Sequence, residues 1–211
     1  MEGLKTTAKN CNVKTYTHEE VAYLKKKFWY WAKTLVPNFK IDENNKAAID
    51  SLFLYFIGIE QVEMPLQKGI LLMGGVGTGK TSLMYCFRQL AIEMRRGFAI
   101  ETSDAISRNY EQTGTMEKYL AKAYLTKKHV TLCIDDVGRE PDVSMHMGNR
   151  RNIVEALLLE RYILFKNFGA ITHATTNLDA DGLKSRYGEA AYDRMREMFS
   201  VVALIGKSRR V

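Results

Sequence analysis

The chain has 211 residues and 46% hydrophobic content, enough for one α/β domain with a small appendage, and no apolar run reaches the length of a membrane span. The N-terminus lacks a signal-peptide pattern, and Cys11, Cys86 and Cys133 are odd in number and in no metal-ligand spacing, which argues against a disulfide framework and for a reducing, cytoplasmic setting. A net charge of +7 and a pI near 9.2 favour a polyanionic partner, although solvated lysine faces alone produce such values.

Residues 1–16 are polar and without pattern. Thr17-His18-Glu19-Glu20 is a capping box, and Val21, Leu24, Phe28 and Trp31 follow at helical spacing until Pro37 stops the helix. Within that helix Lys25-Lys26-Lys27 adjoins Phe28, Trp29, Tyr30 and Trp31. Two readings stand side by side. One is a basic, aromatic surface for a protein or nucleic acid. The other, more ordinary, is a helix packed by its aromatics with solvated lysines. Asp42 is expected to open a second, core-packing helix carrying Ala48, Ile49, Leu52, Phe53 and Phe56 and ending near Gly58.

Ile70–Met73 reads as a buried strand, and Gly74-Gly75-Val76-Gly77-Thr78-Gly79-Lys80-Thr81 then satisfies G-x-x-x-x-G-K-[ST] in full. A helix with Leu83, Met84, Phe87, Leu90 and Ala91 on one face follows. Glycines let backbone N–H groups close on phosphate oxygens, and the helix N-terminus adds partial positive charge. Lys80 is the expected partner of the β and γ phosphates and Thr81 a ligand of Mg²⁺; the loop from Gly74 through Ser82 is the expected nucleotide cradle. The pattern predicts binding of a nucleoside triphosphate.

Arg95-Arg96-Gly97 marks the helix end, Phe98–Glu101 a second strand, and Ser103-Asp104 the cap of the next helix. After a turn at 112–115, another helix is expected to carry Met116, Tyr119, Leu120 and Ala123 and to end at Lys127-Lys128. Val130–Ile134 is a third apolar run ending in Asp135-Asp136. Acids delivered at the carboxyl end of a buried parallel strand suit Asp135 to hold Mg²⁺ and Asp136 to orient or deprotonate the attacking water. Residues 137–151 read as a loop in which His146, with no second metal-type residue nearby, is taken as a surface histidine. A largely buried helix is expected over Ile153–Lys166, a fourth strand over Gly169–Ala174 followed by Thr175-Thr176-Asn177, and a capped helix over Asp179–Arg186. A turn at Tyr187-Gly188, a helix over Glu189–Phe199 and a fifth strand over Val201–Ile205 complete the pattern.

With five strands alternating with helices, the chain resembles the AAA+ ATPases, and within them the DnaC/IstB-type helicase loaders and transposition helper ATPases. The segments that carry the resemblance are GGVGTGKTSL, IDDVGRE, ATTNL, SRYGEAAYDRM and GKSRR, ordered over roughly Phe39 to Arg210. It implies a three-layer α/β P-loop NTPase with a five-stranded parallel sheet over 39–211, without a C-terminal helical lid. Residues 1–38 would form an N-terminal arm or helix available to a partner. It implies ATP and Mg²⁺ as cofactors, Asn177 as a polar group at the γ-phosphate, Arg194 as an arginine finger acting on a neighbouring subunit, and Arg210 (or Arg209) as a second nucleotide-sensing arginine. The family's further arginine, four positions before the finger, is Ala190 here.

The expected function is an ATPase that assembles into an oligomer and loads a replicative helicase on single-stranded DNA, with Arg150 and Arg151 as candidate phosphate contacts. Alternatives are a transposition helper acting on duplex DNA with a transposase, a nucleotide-gated adaptor, and a small-molecule kinase. The kinase is disfavoured by the Asp135-Asp136 pair and by the Thr-Thr-Asn strand end.

Overall fold

The computed structural model describes residues 16–122 and 128–209. Helix α1 (His18–Leu35) starts at the expected capping box: the Glu20 N–H donates to Thr17 Oγ1 (3.2 Å) while the Thr17 N–H donates to the Glu20 carboxylate (2.8 Å). It buries Leu24, Phe28 and Ala32, three residues four apart on one stripe. Helix α2 (Lys46–Ile57) begins four residues later than the sequence predicts. Residues 43–45 form a turn, and the Asp42 carboxylate accepts from the Asn44 N–H (3.0 Å) and pairs with Arg209 instead of capping the helix.

Next come β1 (Gly69–Gly74), α3 (Lys80–Glu93), β2 (Ala99–Thr102) and α4 (Ser103–Thr113). Then come α5 (Glu117–Leu120) and β3 (Leu132–Val137). The helix expected to continue to Lys128 stops at Leu120, because Ala121 is extended and Lys122 bridges to His129; Ala123 and Lys127 lie outside the described residues. The expected loop over 137–151 contains a hairpin of β4 (Ser144–His146) and β5 (Asn149–Arg151), packed on α4. Helix α6 (Ile153–Phe168), β6 (Thr172–Thr176), α7 (Ala180–Met198) and β7 (Phe199–Leu204) complete the order. The turn expected at Tyr187-Gly188 survives as a kink in α7, where Gly188 adopts φ 80°, ψ 162°.

Five strands form one sheet in the order β2-β3-β6-β1-β7, and every pairing in it is parallel. Alternate residues of each strand serve opposite faces. Ile70 and Leu72 of β1 join the core under α1, α2 and α3, whereas Leu71 joins the core under α4, α6 and α7. The result is the three-layer α/β architecture expected of a parallel sheet. No helix follows β7, and none is long and apolar enough to cross a membrane, among the described residues.

Helix α1 belongs to the core. The Phe28 ring stacks on Phe87 of α3 with centroids 4.6 Å apart and meets Phe53 and Phe39 edge-on. The Trp31 indole N–H donates to Glu93 at the far end of α3 (2.6 Å), and Lys27 pairs with the same carboxylate (3.3 Å).

Two buried polar side chains position the strands. Arg161, fully buried, donates to Thr172 Oγ1 (2.8 Å) and to the carbonyls of Tyr119 (3.1 Å), Val130 (3.0 Å) and Ile171 (2.5 Å), tying α5 and the approach to β3 to the start of β6. Desolvation lowers its pKa to about 10, so it stays charged near neutral pH. His173 sits among Tyr55, Phe56 and Phe98, and its Nδ1 accepts the Ile70 N–H (3.1 Å). Burial drives its pKa down to about 3, so the ring is neutral.

Candidate functional site

Because all five strands are parallel, the end of β1, the end of β3 and the residue after β6 meet along one edge of the sheet. A cleft of about 920 Å³ opens there. Its floor is the phosphate loop from Val76 to Ser82 and the N-terminus of α3. One wall is Asp136 to Arg139 with Asn177, and the opposite wall runs from Val36 through Asn45.

The loop is wound tightly: Gly77 and Gly79 both have positive φ. A Cβ on Gly77 would also collide with the Ser208 side chain, at 2.2 Å from Oγ. Lys80, the first residue of α3, is almost fully buried. Its ammonium donates to the carbonyls of Gly74 (2.7 Å) and Gly75 (2.9 Å) and to Asn177 Oδ1 (2.6 Å). With Oδ1 committed to Lys80, the Asn177 NH₂ is the group left to donate.

Asp135 lies opposite the start of α3. Both its oxygens are 3.0 Å from the Thr81 hydroxyl, and Oδ1 accepts the Thr175 hydroxyl at 2.6 Å. Burial is the main influence on this carboxyl and raises its pKa, opposed by the Thr175 and Thr81 hydrogen bonds. A divalent cation is the natural compensation for such a buried carboxylate. The donor set fits Mg²⁺, which prefers one or two protein oxygens and fills its remaining positions with phosphate and water. No cluster of three or more His, Cys, Asp or Glu side chains suited to a tighter metal site occurs among the described residues.

Asp136 requires a break in the strand. Consecutive strand residues point to opposite faces, yet Asp136 lines the same cleft that Asp135 abuts. The register between β3 and β6 shifts between Ile134 and Val137, and Asp136 takes a left-handed φ of 56°. Its carboxylate is 3.2 Å from the Arg139 guanidinium, and its N–H donates to Thr175 Oγ1 (2.9 Å).

Thr175 therefore joins the two acids through one hydroxyl, donating to Asp135 and accepting from the backbone of Asp136. Sequence reasoning assigned the polar end of β6 to Asn177 alone. The signal for Thr175 was available, since THATT is an unusually polar run for a wholly buried strand.

The remaining candidates divide. Arg194 is not at the cleft: it lies on the exposed side of α7, its guanidinium 5.7 Å from the centre of the Tyr162 ring of α6. Arg210 is outside the described residues. Arg209, its alternative, does line the cleft. Its N–H donates to the Gly77 carbonyl (2.8 Å) and its guanidinium pairs with Asp42 (2.7 Å), so the segment after β7 lies across the phosphate loop. Nothing local announced this pairing, whose partners are 167 residues apart. Arg150 and Arg151 are exposed on β5, Arg151 with its guanidinium 5.0 Å from the centre of the Tyr110 ring.

Against solved structures, the chain is similar to a DnaC helicase loader at 18% identity, with a TM-score of 0.59 over 85% of this chain and 99% of that one. It is similar to DnaI at 20% identity, with a TM-score of 0.60 over 84% of this chain and 93% of that one. A replication initiator DnaA, solved with AMPPCP and single-stranded DNA, gives 18% identity and a TM-score of 0.53 over 81% of this chain and 49% of that one. No protein-family model matches the chain, and no curated protein does. The α/β fold class read from the sequence is thereby borne out, and the fold is the one that this chain shares with DnaC, DnaI and DnaA.

Proposed function

We propose that this chain is an AAA+ ATPase of DNA replication, acting as a helicase loader. The observation that carries the ATPase reading is the convergence of Lys80, Thr81, Asp135 and Asn177 on one cleft: Lys80 is hydrogen-bonded to Asn177, Thr81 to Asp135. The loader reading is supported by the shared fold of DnaC and DnaI across most of this chain.

In this reading, bound ATP with Mg²⁺ supplies the scissile phosphoanhydride and the charge that neutralises it. Lys80 exchanges loop carbonyls for phosphate oxygens, a change of partner rather than of position. Thr81 and Asp135 hold the cation. The Asn177 NH₂ donates to the γ-phosphate or to the attacking water, and Asp136, once parted from Arg139, orients that water. Arg194, remote from its own cleft, is suited to complete a neighbour's site, where such a finger is worth about 10³–10⁵ in rate. Arg209 takes the second nucleotide-sensing position, because it already lies against the loop.

The test is steady-state ATP hydrolysis over a range of protein concentrations, without DNA and with single-stranded or duplex DNA. A rate per subunit that climbs with concentration and with single-stranded DNA, and that Lys80→Ala and Arg194→Ala each abolish, supports the reading. Stimulation by duplex DNA alone replaces it with a transposition helper. A concentration-independent rate with Arg194→Ala fully active removes the finger.

A further inference from the structure

We infer that the outward face of α1 is a platform for single-stranded nucleic acid, stacking bases on Tyr23, Trp29 and Tyr30 and holding phosphates with Lys26 and Lys33. This rests on the loader reading only for the expectation that a single strand is bound at all.

The face is defined by what α1 has already spent on the core. Leu24, Phe28 and Ala32 are buried, and Lys27 and Trp31 are committed to Glu93. What remains outward is unusual for a solvated helix. Tyr23 is 57% exposed, Tyr30 60% and Trp29 36%, beside exposed Lys25, Lys26 and Lys33. Rings and amines alternate along the stripe Tyr23, Lys26, Tyr30, Lys33, with about 10.5 Å between successive rings along the axis. From Val21 to Ile41 there are five lysines and no carboxylate. The acids of the first turn, Glu19 and Glu20, lie beside Tyr23 at the start of the stripe, Glu20 held in the capping box, and Glu93, which faces the helix from α3, is taken by Lys27 and Trp31.

Exposed aromatic faces interleaved with cations are the elements that bind a single strand without regard to sequence, since every base offers a π-face and every linkage a negative charge. Two other occupants fit less well. An acyl phase would need a run of aliphatic side chains, and the exposed aliphatics of α1 are only Ala22 and Leu35, at either end of the stripe. A partner helix would need an apolar groove along the stripe, and the pocket on this face is confined to the first turns, beside Tyr23, where Glu19 and Glu20 also line it.

Both tryptophans of the chain, Trp29 and Trp31, are on this helix, so the protein carries its own reporter. Full-length protein is titrated with a short labelled oligothymidylate, following tryptophan emission and oligomer anisotropy at several salt concentrations. The expected result is quenching on binding and an affinity loss of about tenfold or more in Tyr23→Ala/Tyr30→Ala. Tyr23→Phe/Tyr30→Phe, which keeps the rings, should restore it. Lys26→Gln/Lys33→Gln should lower the slope of log K against log salt by about two. Unchanged melting curves would show that the variants fold.

Wild-type affinity in the alanine double variant overturns the platform while leaving the loader reading intact, since DNA is then held elsewhere. Equal affinity and quenching with an abasic strand overturns base stacking. Failure of the wild type to bind any single strand, with or without ATP, removes both readings. Binding to anionic vesicles or to an acidic peptide in that case would reassign the face to a membrane or a protein.

Discussion

Thr175 holds two acids in place with one hydroxyl, and this makes a specific prediction. Thr175→Val keeps the shape but removes the donor to Asp135 and the acceptor for the Asp136 N–H. We expect kcat for ATP hydrolysis to fall by about 10–100-fold with a smaller change in KM, and Thr175→Ser to recover most of it. A Val variant with wild-type kcat would make the hydroxyl merely structural. His173 makes a prediction about pH. Its folded pKa of about 3 lies below its ordinary 6.5, so the unfolded chain takes up the proton first. The stability due to a neutral ring is complete above pH 6.5 and is lost as pH falls from there towards 3, by about 2 kcal/mol at pH 5. Urea unfolding at pH 7 and pH 5 measures the loss, and His173→Gln should flatten it. The residues that were legible in the sequence are those packed into one contiguous motif, Gly74–Ser82, or delivered by an apolar strand, Asp135 and Asp136. Thr175 was hidden because a threonine in a strand is ordinary until its two partners are known.

At the scale of elements, α7 is the most informative. Gly188 occupies a region of backbone space that is essentially restricted to glycine, and it redirects the helix six residues before Arg194. Gly188→Ala should cost about 1–3 kcal/mol in a denaturant titration. If Arg194 acts on a neighbour as proposed, the variant should also lower the concentration dependence of ATP hydrolysis, because Arg194 would be re-aimed while its own cleft is untouched. Loss of stability with unchanged cooperative hydrolysis would separate the kink from the finger. The elements most easily read were those with clear periodicity, such as α1 and α3; α6 was found by its apolar run but is not largely buried as expected, since it encloses only Ile153, Val154, Leu157, Leu158 and Arg161 and leaves Ile163 exposed. The hairpin of β4 and β5 was missed, because three-residue strands leave no room for alternation and their pairing is stabilised by packing on α4. Helix α2 was misplaced at its start because Asp42 resembles a cap, while its carboxylate answers to Arg209 far along the chain.

At the scale of the whole molecule, α1 and the phosphate-loop helix share one aromatic core. Phe28→Ala removes the ring stacked on Phe87 and should cost about 3–5 kcal/mol, lowering the melting temperature by roughly 10 °C. It should also weaken binding of a fluorescent ATP analogue, because Phe39, which meets Phe28 edge-on, lines the cleft. The three layers followed from the alternation of apolar strands and helices; the docking of α1 did not, since amphipathicity says that a face is buried and not against what. A last consequence concerns time. Strand β1 is flanked by β6 and β7, and the phosphate loop is crossed by Arg209, so the cradle is specified early in the chain and enclosed by residues made more than a hundred positions later. During synthesis at about 5–20 residues per second, a nascent chain spends several seconds or more with its most glycine-rich turn formed by sequence but unroofed. On the proposed function, nucleotide capture would therefore follow release of the distal third from the ribosome and could not guide the folding of the first half.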